Sequence, residues 1–169
     1  VHCKPILHAG LRYHQAVRSN RDVVPMSFLK QTEKMAVGEG LPLGEVLDHL
    51  PWNADGLLPA IAQQYDSGEV LMLAWMNRES LEETLAARRV CYFSRSRQQL
   101  WRKGESSGQV QHLKEVRFDC DGDTILLRVD QVGPACHTGR RDCFYNRVDG
   151  DRVVVDSQPL IDPETLYGK

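Results

Sequence analysis

Residues Leu57 to Met76 read "LLPAIAQQYDSGEVLMLAWM", two apolar runs on either side of Asp66-Ser67-Gly68. Asp and Ser bond to nearby backbone and Gly accepts positive φ, so this trio turns the chain, and the runs become paired strands of a hairpin. The pattern then changes period. "NRESLEETLAARR" from Asn77 places Ser80, Leu81, Thr84 and Leu85 on one helical face, with Asn77 as the cap and acids near the start. "RVCYFSRS" predicts a strand with Val90, Tyr92 and Ser94 on one face and Cys91 and Phe93 on the other. "KGESSGQV" is a loop by its glycines and serines, "VQHLKEVRFDCDGDTILLRVDQV" is a strand pair turning near Asp121 to Asp123, and "NRVDGDRVVVDS" is a further hairpin. The sum is an α+β domain of mainly antiparallel β hairpins with one or two packed helices.

Upstream the signals weaken. Residues 1–55 have mixed polarity, broken by Pro42, Gly44, Pro51 and Gly56 at the junction. Short helices are expected at Pro25 to Met35 and Leu43 to Leu50, and 1–55 reads as an N-terminal extension or wrapping segment before a domain over 56–169. The 169 residues fit one domain able to bury a core. Lys plus Arg number 21 against 23 Asp plus Glu, a balance that speaks against nucleic acid as the partner. Five cysteines, at 3, 91, 120, 136 and 143, are an odd set that argues against a closed disulfide framework and for a reducing, cytoplasmic setting. No apolar run approaches the roughly 18 residues of a membrane span, so no membrane partner is expected.

The charge is uneven along the chain. "RFDCDGDT", Arg117 to Thr124, sets Asp119, Asp121 and Asp123 around Cys120. In an extended segment the three acids share one face and Cys120 looks away, which separates a hard carboxylate set suited to magnesium from a soft thiolate. A solvated turn is the plain alternative. Cys136 and Cys143 lie in "GPACHTGRRDCF" and, with Cys120, make three thiolates. Three corners of a tetrahedron with the fourth left to water is the pattern of a catalytic zinc, whereas buried cysteines also serve as small hydrophobes. His137 is either a fourth ligand or a proton carrier.

Between Arg88 and Lys103 the chain carries a run of basic residues and no acid. Arg95, Arg97, Arg102 and Lys103, followed by Ser106, Ser107 and Gly108, are equipment for phosphates: guanidinium forks and backbone N–H groups at glycine. Trp101 either stacks on a base or anchors the loop in the core. A basic and aromatic RNA surface is the rival reading, weakened by the lack of an extended basic stripe.

"GLLPAIAQ", "GEVLMLAWMNRESLEETL", "YFSRSRQQLWRKGESSG" and "DCDGDTILLRVDQVGPACHTGRRDCF" together resemble phosphoribosyl-AMP cyclohydrolase over about residues 56–146. The resemblance implies hydrolysis of the N1–C6 bond of the adenine ring of 1-(5-phosphoribosyl)-AMP by zinc-activated water, a step of histidine biosynthesis. It also implies an intertwined homodimer. Cys120 of one subunit joins Cys136 and Cys143 of the other at a shared zinc, and Asp119, Asp121 and Asp123 hold magnesium. His137, with His112 second, is the expected proton carrier. Arg95, Arg97, Trp101, Arg102, Lys103, Ser106, Ser107 and Gly108 are the expected substrate contacts. Gln109 departs from the His or Asn expected after Gly108. A deaminase-like hydrolase is the alternative enzyme, but the HxE sequence it needs is absent; a zinc-stabilised binding module would close the tetrahedron with a fourth protein ligand.

Overall fold

A computed structural model describes residues 27–167. Cys3, the earlier part of the 1–55 segment and the start of the helix expected from Pro25 lie outside the described residues. The hairpin at Asp66 forms as expected: β1 (Leu58–Gln64) runs antiparallel to β2 (Val70–Met76). Next comes α2 (Arg78–Ala87), preceded in the chain by α1 (Leu43–His49). Asn77 caps α2, its Oδ1 accepting from the Ser80 N–H at 2.9 Å, which satisfies a donor that the first helical turn leaves free. Arg88 closes the helix in the left-handed region at φ 56°, turning the chain back toward the sheet.

β3 (Cys91–Ser94) and β4 (Gln99–Arg102) form a second hairpin, and β5 (Gln111–Phe118) and β6 (Ile125–Gln131) a third. The six strands are ordered β4-β3-β2-β1-β6-β5. Two features depart from the sequence reading. β4 occupies part of what reads as a phosphate loop, and β1 meets β6 in parallel, Ala60 opposite Ile125. All other neighbouring pairs are antiparallel, so the mainly antiparallel expectation holds around one parallel seam. The sheet also curls until its far sides touch. Arg89, just before β3, bridges His112 on β5, and the Val90 N–H donates to the Gln111 carbonyl at 3.0 Å.

Inside the curl, Leu58, Ala60, Ala62, Leu71, Tyr92, Leu113, Ile125, Leu127 and Val129 make the core. Val46, Leu47 and Leu50 of the α1 region join them, and Phe28 and Leu29 of a short 3-10 helix (Phe28–Lys34) pack alongside, so the described part of the N-terminal segment contributes to the same core. Among the described residues no helix is long and apolar enough to cross a membrane. Outside the curl, β7 (Asn146–Asp149) and β8 (Arg152–Val155) form the last hairpin, and α3 (Pro163–Tyr167) follows. The β7–β8 pair leaves Val148, Val153 and Val155 exposed.

One polar chain threads this core. The Tyr92 hydroxyl donates to Gln111 Oε1 at 2.7 Å, Gln111 Nε2 donates to Gln131 Oε1 at 2.9 Å, and the Gln131 N–H donates to Gln64 Oε1 at 3.1 Å. Each link satisfies a group that water cannot reach, which is why three glutamines are tolerated there. Tyr92→Phe leaves the buried Gln111 oxygen without its donor and should cost about 1–3 kcal/mol. The check is the midpoint of urea unfolding at fixed protein concentration; an unchanged midpoint would show that the network contributes no stability.

Candidate active site

Cys136 and Cys143 converge beyond the end of β6. Cys136 sits in a tight loop in which Ala135 N–H donates to the Arg141 carbonyl at 3.0 Å and Cys136 N–H to the Arg140 carbonyl at 3.2 Å. Cys143 is pinned to β2 by its N–H, which donates to the Leu71 carbonyl at 2.8 Å. Although Cys143 is exposed as a residue, its thiol is sheltered: burial, then the neighbouring Cys136, pushes its pKa up to about 12. The Thr138 hydroxyl donates to Cys136 Sγ at 3.1 Å. Cys91, by contrast, lies in the core with its thiol pushed up to about 11, chiefly by burial, and belongs to no such pair.

Cys120 is elsewhere. It is exposed in the turn between β5 and β6, which opens into the start of β6, while Cys136 follows the end of that strand. Seven residues of strand separate them, about 20 Å at ~3.3 Å per residue. The same turn carries the acids. One oxygen each from Asp119, Asp121 and Asp123 lie within 4.8 Å of one another, the only such trio of metal-capable side chains among the described residues. Their convergence comes from a tight turn at Gly122, φ 79°, and not from strand alternation. Burial of its carboxyl is the main cause that raises the Asp119 pKa, and Asp123 and Asp121 add to it. The turn is braced from the N-terminal side: the Ser27 hydroxyl donates to the Asp121 carbonyl, and a side chain on Gly122 would meet Leu29 at 3.0 Å and Leu50 at 3.2 Å.

The donor chemistry fits two different ions. Three oxygens suit a hard divalent cation such as magnesium, and two thiols side by side suit zinc, although a pair alone leaves a tetrahedron incomplete.

A cavity of about 260 Å³ opens over β4 and the loop after it, lined by Arg97, Trp101, Arg102, Lys103, Ser106 and Ser107 among others. Gly104 lets the loop fold on itself: with φ 79°, a Cβ there would fall 2.4 Å from the Gln109 backbone. The basic residues divide by role. Arg102 makes a fork to Glu83 at 2.6 and 2.8 Å, Arg95 lies over the Trp75 ring at 4.6 Å, and Arg97 bonds to the Ser94 hydroxyl at 3.2 Å from its Nε. Lys103 is buried, and Trp101 is half-buried against Tyr92 with ring centroids 5.5 Å apart. Gly108 is exposed in the same loop. His137 is exposed beside Cys136, and His112 is exposed on β5 opposite Asp130, at the same end of the sheet.

Thr138, the Gln64–Gln111–Gln131 chain and the Glu83 partner of Arg102 escape the sequence reading. The glutamines did carry a signal. Gln64, Gln111 and Gln131 stand two residues from Ala62, Leu113 and Val129, on faces otherwise apolar. If the acidic turn takes magnesium, millimolar Mg2+ should raise the thermal midpoint by a few degrees and Asp121→Asn should abolish most of that rise. Equal shifts in both proteins would show that the ion acts elsewhere.

Comparison with known proteins converges on one family. The sequence profile of phosphoribosyl-AMP cyclohydrolase matches residues 72–145. A protein of that name from Halorhodospira halophila is 71% identical over 140 residues, covering 83% of this chain and 99% of the relative. One from Alkalilimnicola ehrlichii is 72% identical over 138 residues, 82% of this chain and 97% of the relative, and one from Granulibacter bethesdensis is 65% identical over 127 residues, 75% and 99%.

Proposed function

The chain belongs to the phosphoribosyl-AMP cyclohydrolase family, and from that premise we propose that it hydrolyses the N1–C6 bond of the adenine ring of 1-(5-phosphoribosyl)-AMP with zinc-activated water. The observation that carries the mechanism is the split of the donors: Cys136 and Cys143 meet at one end of β6, while Cys120 and the three aspartates stand at the other. A single chain cannot gather them. Two copies can, because a twofold arrangement brings one end of each strand to the opposite end of its partner.

Each site then takes Cys136, Cys143 and His137 from one subunit and Cys120 of the partner subunit, with the partner's Asp119, Asp121 and Asp123 alongside. The exposed valines of β7 and β8 offer apolar surface for such an association. The three thiolates would hold zinc, whose Lewis acidity would make water a nucleophile near neutral pH.

Ring opening adds water across the C6–N1 bond: oxygen bonds to C6, and N1 takes a proton as the C–N bond breaks. His137 carries that proton, being exposed beside Cys136; His112 is the second candidate, at the same end of the sheet. Trp101 offers its ring to the purine at the cavity wall. Arg97, Ser106 and Ser107 of the cavity wall, with Arg95 and the backbone at Gly108 outside that lining, engage phosphate oxygens, Arg102 and Lys103 shape the wall, and the aspartates would hold magnesium to neutralise remaining charge. The unpaired thiols of Cys91, Cys120, Cys136 and Cys143 fit a reducing cytoplasm.

Ultraviolet absorbance during incubation with phosphoribosyl-AMP tests the activity, and subunit mixing tests the shared site. Cys120→Ala and Cys136→Ala should each be inactive alone. Refolded together, half of the dimers pair the two variants and keep one intact site of two, restoring about a quarter of wild-type activity. No recovery from a properly folded, metal-replete mixture would mean that each chain completes its own site.

A further inference from the structure

Asp121 and Gly122 stand at the tip of the β5–β6 turn, a place that ordinarily faces water, yet Gly122 is buried and Asp121 half-buried. What covers them comes from residues 27–51. A Cβ on Gly122 would fall 3.0 Å from Leu29 Cδ1, 3.2 Å from Leu50 Cδ2 and 3.6 Å from Pro51 Cδ. Ser27 adds a polar contact across a separation of 94 residues, its hydroxyl donating to the Asp121 carbonyl. A serine at the start of a helix ordinarily caps that helix; here the side chain makes no capping bond.

The cover is fixed independently of the turn. Val46 and Leu47 of α1 and Leu50 after it are anchored in the core, and Asp48 pairs with Arg78 at the start of α2, 2.5 Å away. The Phe28 ring stacks on His49 with centroids 4.4 Å apart and planes 15° from parallel, which seats the 3-10 helix on α1 with Leu29 against Gly122. Inside the turn, two of the acids are tied by Thr124: its N–H donates to Asp119 Oδ1 at 3.2 Å and its hydroxyl to Asp123 Oδ1 at 2.9 Å. Asp121 is tied from outside, by Ser27.

Three carboxylates with oxygens within 4.8 Å of one another repel, and an unsupported turn relieves that repulsion by opening. The bond to the Asp121 carbonyl fixes the peptide plane between Asp121 and Gly122, and with it the direction from which the acids approach one another. We propose that residues 27–51 are a positioning element for the acidic turn: Ser27 and Leu29 hold it in its ion-binding shape, and a divalent cation on the aspartates tightens the segment onto the domain. The proposal rests on the reading that the three aspartates take magnesium. Preorganisation raises affinity because the fold has already gathered the carboxylates when the ion arrives. Coupling of this kind is reciprocal, so the ion stabilises the docked segment by as much as the segment favours the ion.

Titration calorimetry with Mg2+ on the full chain tests one direction. Ser27→Ala should weaken binding about fivefold, the typical contribution of one hydrogen bond, and Leu29→Ala by at least as much. Tyr92→Phe, which disturbs the core away from the turn, should bind as wild type and so separates positioning from a general loss of stability. Hydrogen exchange tests the other direction. The Lys30 and Met35 N–H groups bond to the Ser27 and Thr32 carbonyls at 3.0 Å each. Saturating Mg2+ should slow their exchange severalfold in wild type and leave it unaltered in Asp121→Asn. Wild-type affinity in Ser27→Ala, equal weakening in Tyr92→Phe, or exchange at Lys30 and Met35 indifferent to the ion in wild type overturns the proposal and leaves the segment as core packing alone. If wild-type protein binds no Mg2+, or Asp121→Asn binds it equally well, the magnesium reading falls first and takes this one with it.

Discussion

The parallel contact between β1 and β6 holds the rest of the molecule in place. Each hairpin satisfies its own inner edge, but none can bury an apolar face alone. Pairing Ala60 through Gln64 with Ile125 through Val129 joins the hairpins into one sheet and lets it curl, so that Arg89 reaches His112 and both faces of Cys91 and Tyr92 are covered. The glutamine chain crosses this seam. Gln64 belongs to β1 and Gln131 to β6, so the polar links lock the register that the apolar residues would hold less specifically.

That register also sorts the chemistry by position. β6 begins beside the acids and Cys120 and ends beside the paired cysteines, so a single strand acts as a spacer between the two donor sets. The acids are packed from behind by Leu29 and Leu50, and the cysteines are tied through Leu71 and the Arg140–Arg141 backbone. Each donor set is held by parts of the fold that the other does not touch. Under the proposed function, a second copy of the chain is then a structural part of catalysis.

Local chemistry was legible and long-range chemistry was not. Asp66-Ser67-Gly68, the Asn77 cap and the alternation on either side of Asp121 identified hairpins and a helix because each signal is complete within a few residues. The parallel seam joins residues too far apart to leave a local trace. β4 was hidden because "QLWR" sits in a basic run that reads as ligand-binding loop, while in the fold Arg102 forks to Glu83 and Lys103 turns inward. A lysine in such a run has no sequence mark that separates burial from solvent exposure. The acids converge through the bend at Gly122 rather than through the alternation of an extended strand.

The loop carrying Cys136 and His137 is gripped from the far end of the described chain. The Gly139 carbonyl accepts from the Leu160 and Ile161 N–H groups at 2.8 and 3.3 Å, and Arg140 reaches the Ser157 carbonyl. A Cβ on Gly139 would fall 1.8 Å from the Ile161 oxygen, in a backbone conformation with φ 75° that already disfavours side chains. On the tail's side every one of these bonds uses main-chain atoms. Substitutions at 157, 160 and 161 that keep the backbone path therefore retain the clamp whatever side chain they bring, provided proline does not remove a needed N–H. The sequence constraint therefore falls on Gly139 and the Arg140 side chain, on the loop's side of the clamp, and the side chains of the tail are free to drift.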